Sequence, residues 1–196
     1  MSEKKPSDNF FFITLTLLMG LVIIVSNYLV QFPINKFQLQ DILTYGAFSY
    51  PITFLITDLA NRRFGKKKAR KLVYIGFAIG ILLTTIVSTN FKDIISIRIA
   101  IGSGIAFLVA QLIDIEIFQQ LRNKVWFVAP ITSSVSGSTI DTFLFFSISF
   151  LGTGIPWVTL AFGDLFVKFL MAFLMLIPFR LLIVKIRDLN GKKYTT

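Results

Sequence analysis

Six apolar runs, near residues 10–30, 43–60, 72–89, 97–117, 125–150 and 157–183, occupy most of this 196-residue chain. Each approaches the roughly 20 helical residues needed to cross about 30 Å of hydrocarbon. Charged residues make up 15% of the sequence against 55% hydrophobic ones, whereas a soluble domain usually carries about 25% charge. That little charge cannot coat a core of ordinary size, so lipid must be the solvent for much of the surface. The expectation is an all-α membrane protein with residues 1–196 forming a single domain of six transmembrane helices. The polar stretches between runs are too short to hide an extramembrane domain. The first run follows the polar opening MSEKKPSDN and precedes no small-residue cleavage site, so it reads as a retained helix and not as a signal peptide.

The formal charge of +10 does not point to nucleic acid, because the basic residues sit in short clusters between apolar runs and not along one amphipathic face. Assigned to alternate loops, sixteen Lys and Arg fall on one side: Lys4 and Lys5, seven in Arg62–Lys71, Arg122 and Lys124, and five from Arg180 onward. The other side holds Lys36 and Lys92, while Arg98 and Lys168 lie inside the runs. By the positive-inside rule both termini are expected in the cytoplasm. With no Cys and no His, disulfides, thiol nucleophiles and the usual zinc sites are excluded. No Walker, GxSxG or HExxH motif is present. Neither a cofactor nor an enzymatic activity is expected.

Helix contacts are expected where small residues allow close approach: Gly76 with Gly80, the strip Gly102, Ala106 and Ala110, and Ser133 with Gly137. Pro51 and Pro130 each remove a backbone donor within a run and favour a kink that either lines a cavity or simply bends the helix.

The ionisable residues within or at the ends of the runs are Asp58, Arg98, Asp114, Glu116, Asp141, Asp164 and Lys168. A charge at mid-helix costs on the order of 2.5–3.5 kcal/mol on insertion. Asp58, Asp114, Glu116 and Arg98 lie near helix ends, where they either snorkel to the interface or serve function. Asp141 and Lys168 start roughly 24 and 17 Å into their runs at about 1.5 Å per residue, too deep for easy snorkelling. Asp164 and Lys168, four apart with the acid first, form either a self-contained helical pair or a gate in which Lys168 exchanges Asp164 for Asp141. Asn27 with Gln31, and Gln111 with Asp114, share helix faces as interhelical glue or as ligand contacts. Five acids to two bases, beside Tyr45, Phe48 and Tyr50, suit a planar, nitrogen-rich solute that offers several N–H donors and stacks on a ring.

SNYLVQFP (26–33), YGAFSYPITFLITDL (45–59) followed by Arg62 and FG (64–65), RIA (98–100), AQLID (110–114), AP (129–130), IDTFLFF (140–146) and GDLFVKFLMAFLMLIP (163–178) together resemble the queuosine precursor transporter family. The blocks run in order across nearly the whole chain. The resemblance implies a multi-pass protein of the bacterial inner membrane, of the vitamin-uptake type, likened to the substrate-binding subunits of energy-coupling-factor importers. It implies a 7-deazaguanine cargo for tRNA modification: the 7-cyano or 7-aminomethyl precursor, or queuine. Asn27, Gln31, Asp58, Arg62, Arg98, Gln111, Asp114, Asp141, Asp164 and Lys168 match recurring polar residues of the family. Ser138 and Leu165 depart from its pattern, which implies a different preference among 7-substituents if either position touches the base.

A guanine-like edge presents N1–H and an exocyclic amine, which suit a carboxylate; Asp141 or Asp114 is the expected acceptor. Asn27, Gln31 and Arg98 are the expected donors to the carbonyl, and Phe48, Tyr45 or Tyr50 the stacking rings. Asp58, Arg62 and Asp164 are the expected gating or ion-pair groups. The expected partners are this solute and the lipid bilayer, with a homo-oligomer left open. A solitary transporter and a subunit of a multi-component importer both fit these residues.

Overall fold

The computed structural model describes residues 6–29, 32, 34, 43–87 and 94–186. Among them are helices α1 (Pro6–Leu29), α2 (Gly46–Ser49), α3 (Ile52–Phe64), α4 (Lys66–Val87), α5 (Ile94–Leu121), α6 (Val128–Phe150) and α7 (Trp157–Lys185). Gln31, Lys36, Lys92 and both chain termini lie outside the described residues.

Contacts at the helix ends trace the path of the chain. Arg63 at the end of α3 pairs with Asp8 at the start of α1 at 2.5 Å. Arg122 just past α5 donates to the Arg62 carbonyl at 3.1 Å, Lys66 at the start of α4 pairs with Glu116 of α5, and Arg180 of α7 lies over Trp126, between α5 and α6. These ends form one basic end of the bundle. At the opposite end, Arg98 near the start of α5 donates to the Ile148 and Leu151 carbonyls at the close of α6, both at 2.9 Å. Among the described residues α1, α4, α5, α6 and α7 each traverse the bundle, and α2 and α3 make one traverse between them.

Three described stretches are long and apolar enough to cross a membrane: Asp8–Leu29, Ile97–Leu121 and Trp157–Lys185. Their outer faces expose Phe10, Leu21, Ile101, Phe166, Phe173 and Leu181, an apolar belt that water would not tolerate. The molecule is a multi-pass helical membrane protein. α3 and α6 instead turn polar residues inward, including Thr53, Thr57, Asn61, Ser133, Ser138 and Thr142. α4 opens on a basic run, so its apolarity begins only after the first turns.

Small residues lie at the helix contacts. A Cβ on Gly76 would come within 2.5 Å of Met19 and one on Gly80 within 2.6 Å of Ile23, so this GxxxG pair is the seat of α1 on α4. Gly102 faces Ser149 of α6, and Gly137 admits the ring of Phe54 to within 2.6 Å of where its Cβ would stand. The core between them is aromatic: Phe77 stacks on Phe107 at 5.7 Å, and Phe118 meets Phe179 edge-on at 6.3 Å.

The helices run past the apolar runs. α4 starts at Lys66 and α5 reaches Leu121, because hydropathy marks the hydrocarbon whereas backbone hydrogen bonding continues through the interface. Pro51 divides one expected span into α2 and α3. Pro130 does not kink a helix interior: it lies in the first turn of α6, where its missing N–H leaves no bond unmade. Gly65, at φ 79°, ends α3 in a conformation that favours glycine and lets α4 start at once.

Candidate functional site

Two polar layers lie one above the other inside the bundle. The first joins α6 to α7 around Lys168. Its Nζ donates to Asp141 Oδ2 at 2.8 Å and Thr142 Oγ1 at 3.1 Å, and lies 2.6 Å from Asp164 Oδ2. Thr142 in turn donates to Asp164 at 2.9 Å. Lys168 is 4% exposed and Asp141 3%, so these are charges held in protein and not at the interface. Lys168 bridges both acids at once. Its ammonium also lies 5.5 Å from the Tyr50 ring centroid, within the range of a cation–π contact.

Tyr50 follows α2 and closes this layer from above. Its ring meets Phe107 edge-on at 5.9 Å, and Ser103 lies beside its side chain. Ser103 donates to Asn27 Oδ1 of α1 at 3.5 Å, while Ser26 and Ser49 share a hydrogen bond at 2.9 Å. Next to these residues is an open cavity of about 520 Å³, lined by Leu29, Ile34, Tyr45, Phe48 and Ser49. Tyr45 and Phe48 are both exposed to it.

The second layer is nearer the basic end. Asp58 of α3 is 2% exposed and accepts from Ser133 Oγ at 3.2 Å and Ser134 Oγ at 3.5 Å. Asp114 of α5, fully buried, lies within hydrogen-bonding reach of Asp58. Neither Asp114 oxygen accepts a well-aligned hydrogen bond. The five ion pairs among the described residues include neither acid. Asp58 and Asp114 are therefore interior groups and do not snorkel. Glu116, by contrast, is half-exposed and pairs with Lys66 and Arg70.

The other sequence candidates hold helices together. Gln111 accepts from Thr57 and donates to Thr53 at 2.9 Å, which satisfies its amide on α3. Arg98 caps α6 as described. Arg62 donates to the Arg122 carbonyl and lies 6.0 Å from the Phe118 ring.

Sequence reasoning missed the hydroxyls. Thr142 and Ser134 attract no notice as small polar residues in an apolar run, yet Ser134, Ser138 and Asp141 stand at i, i+4 and i+7, one face of α6. Ser138 Oγ is buried with no partner, midway between the layers. Reading that period of polar residues would have found the seam. The pairing of Asp58 with Asp114 had no local signal, because it joins residues on two different helices.

A multi-pass bundle with buried, mutually facing charges and a cavity above them has the build of a small-molecule transporter. A family profile described as "Putative vitamin uptake transporter" matches residues 44–183. A Haemophilus influenzae protein named "Probable queuosine precursor transporter" is 33% identical over 80% of this chain and 79% of its own length. The Escherichia coli "Queuosine precursor transporter" is 32% identical over 81% and 79%. A Bacillus subtilis "Probable queuosine precursor transporter" is 27% identical over 56% and 57%. The chain belongs to the queuosine precursor transporter family, of the vitamin-uptake type. No solved structure matches it.

Proposed function

We propose that this protein imports 7-deazaguanine precursors of queuosine, the 7-cyano or 7-aminomethyl base or queuine, across the bacterial inner membrane for tRNA modification. All six traverses span the bilayer, and both termini and the basic end face the cytoplasm, so the cavity beside Tyr45 and Phe48 faces outward. No chemical step is catalysed.

The observation that carries this reading is the Lys168 cluster, where one buried ammonium faces two carboxylates. With all three groups charged, the cluster holds one negative charge in excess, and a buried charge demands donors. A 7-deazaguanine supplies them. Its N1–H and exocyclic amine donate to Asp141, and Lys168 donates to its carbonyl while staying paired with Asp164. The ring stacks on Tyr50, with Phe48 and Tyr45 guiding it from the cavity, a contact worth about 1–3 kcal/mol per base in comparable stacks. When the site is empty, Lys168 occupies Asp141 and keeps the buried charges paired.

Adenine presents an acceptor where guanine presents N1–H. The mismatch leaves buried groups unpaired at about 1–3 kcal/mol each. Competition against a labelled 7-deazaguanine on the purified protein checks this: guanine-like deazapurines displace it, and adenine does so at least tenfold more weakly. Equal displacement by adenine overturns the recognition of this edge. Uptake in a host without an energy-coupling-factor complex separates solitary transport from the alternative, a substrate-binding subunit of such an importer.

A further inference from the structure

The Asp58–Asp114 layer is not used by this account of substrate binding. Two carboxyls within hydrogen-bonding reach, each at most 2% exposed, cannot both carry charge in a low-dielectric interior without a cation between them. The groups packed around them supply none. α6 presents the hydroxyls of Ser133 and Ser134, and α7 presents Ala172, Met175, Leu176 and Phe179 near Asp58. Arg62, one turn along α3, directs its guanidinium to the Arg122 carbonyl. Lys66 and Arg70 are taken up by Glu116. Among the described residues no cluster of three or more acids offers a metal site.

We propose that Asp58 and Asp114 share one exchangeable proton, and that this site couples proton movement to transport. The coupling rests on the transport function proposed above; the proton site itself does not. Among the described residues no third acid converges on the two carboxyls to make a metal site. A proton needs only the two facing oxygens. Asp58 and Ser134 also line a cavity of about 10 Å³, room for a single water beside the pair. Asp58 is six residues from the end of α3 and Asp114 seven from the end of α5, about 9–11 Å at 1.5 Å per residue. The pair therefore lies in the half of the bundle that carries the basic end. Ser138, whose hydroxyl is buried and unpartnered, stands between it and Asp141 on the same face of α6.

Infrared difference spectroscopy of the purified protein in lipid at neutral pH reads the site without any cargo. A protonated-carboxyl C=O band is expected in the wild type, unchanged by 100 mM sodium and absent from the Asp58→Asn/Asp114→Asn double variant. A wild type lacking the band, or a band erased by sodium, overturns the proton site. In proteoliposomes, an imposed inward proton gradient is expected to raise uptake of labelled 7-deazaguanine at least tenfold. Asp114→Asn is expected to lose this accumulation at least tenfold more than it loses counterflow exchange. Uptake that ignores the gradient overturns the coupling. The band without any 7-deazaguanine uptake supports the proton site and refutes the cargo, so the two failures are distinct.

Discussion

The two polar layers differ in how their charges are balanced. Around Lys168 every ionised group has an opposite charge within 2.8 Å. Asp58 accepts from two serine hydroxyls, and neither it nor Asp114 has an ion pair among the described residues. The first arrangement resists loss of any member, because breaking a buried pair strands a charge. The second can hold or release a proton at little structural cost. A bundle that only needed stability would carry leucines at both places. The proposed tasks are correspondingly separate: recognition of a solute rich in donors at the first layer, and uptake and release of a proton at the second.

Removing Lys168 separates the layers most sharply. Lys168→Met leaves Asp141 and Asp164 facing each other without a cation, and a loss of about 3–5 kcal/mol in stability is expected, with uptake abolished. Thermal unfolding in detergent measures it. In the other layer, Ser133→Ala or Ser134→Ala removes one donor to Asp58 and is expected to cost about 1–2 kcal/mol. Asp114→Asn breaks no ion pair and offers an amide donor to Asp58 where the shared proton stood. Its stability should stay within about 1 kcal/mol of the wild type, and a loss approaching that of Lys168→Met would mean that Asp114 has a cationic partner. Smallest of all, Glu116→Gln removes ion pairs whose side chains are 36–41% exposed. It should change stability by at most about 1 kcal/mol, with less effect at high salt.

Much of the helical bundle was legible in the sequence because lipid imposes length and apolarity on a crossing helix, as Asp8–Leu29, Ile97–Leu121 and Trp157–Lys185 show. Gly76 and Gly80 could be read as a contact because close approach has few chemical solutions. Asp141, Asp164 and Lys168 stood out because a charge in an apolar run is rare. What stayed hidden were relations between helices. Periodicity along α3 cannot show that Asp58 meets Asp114 of α5, and Gln111 reads equally well as a ligand contact until Thr53 and Thr57 are seen to satisfy it. The break at Pro51 was visible, but its effect was not: it places Tyr50 at the end of a separate short helix, with its ring facing Lys168.

Asp141→Asn decides whether the Lys168 layer is the substrate site. The substitution keeps the shape of the side chain but turns an acceptor into a group with two donors, which would face the donors of the base. Uptake of labelled 7-deazaguanine by cells containing the variant in normal membrane amount is expected to fall at least tenfold, equivalent to about 1.4 kcal/mol, with equilibrium binding weakened alongside it. Full uptake by that variant would contradict the account and remove Asp141 from the substrate site.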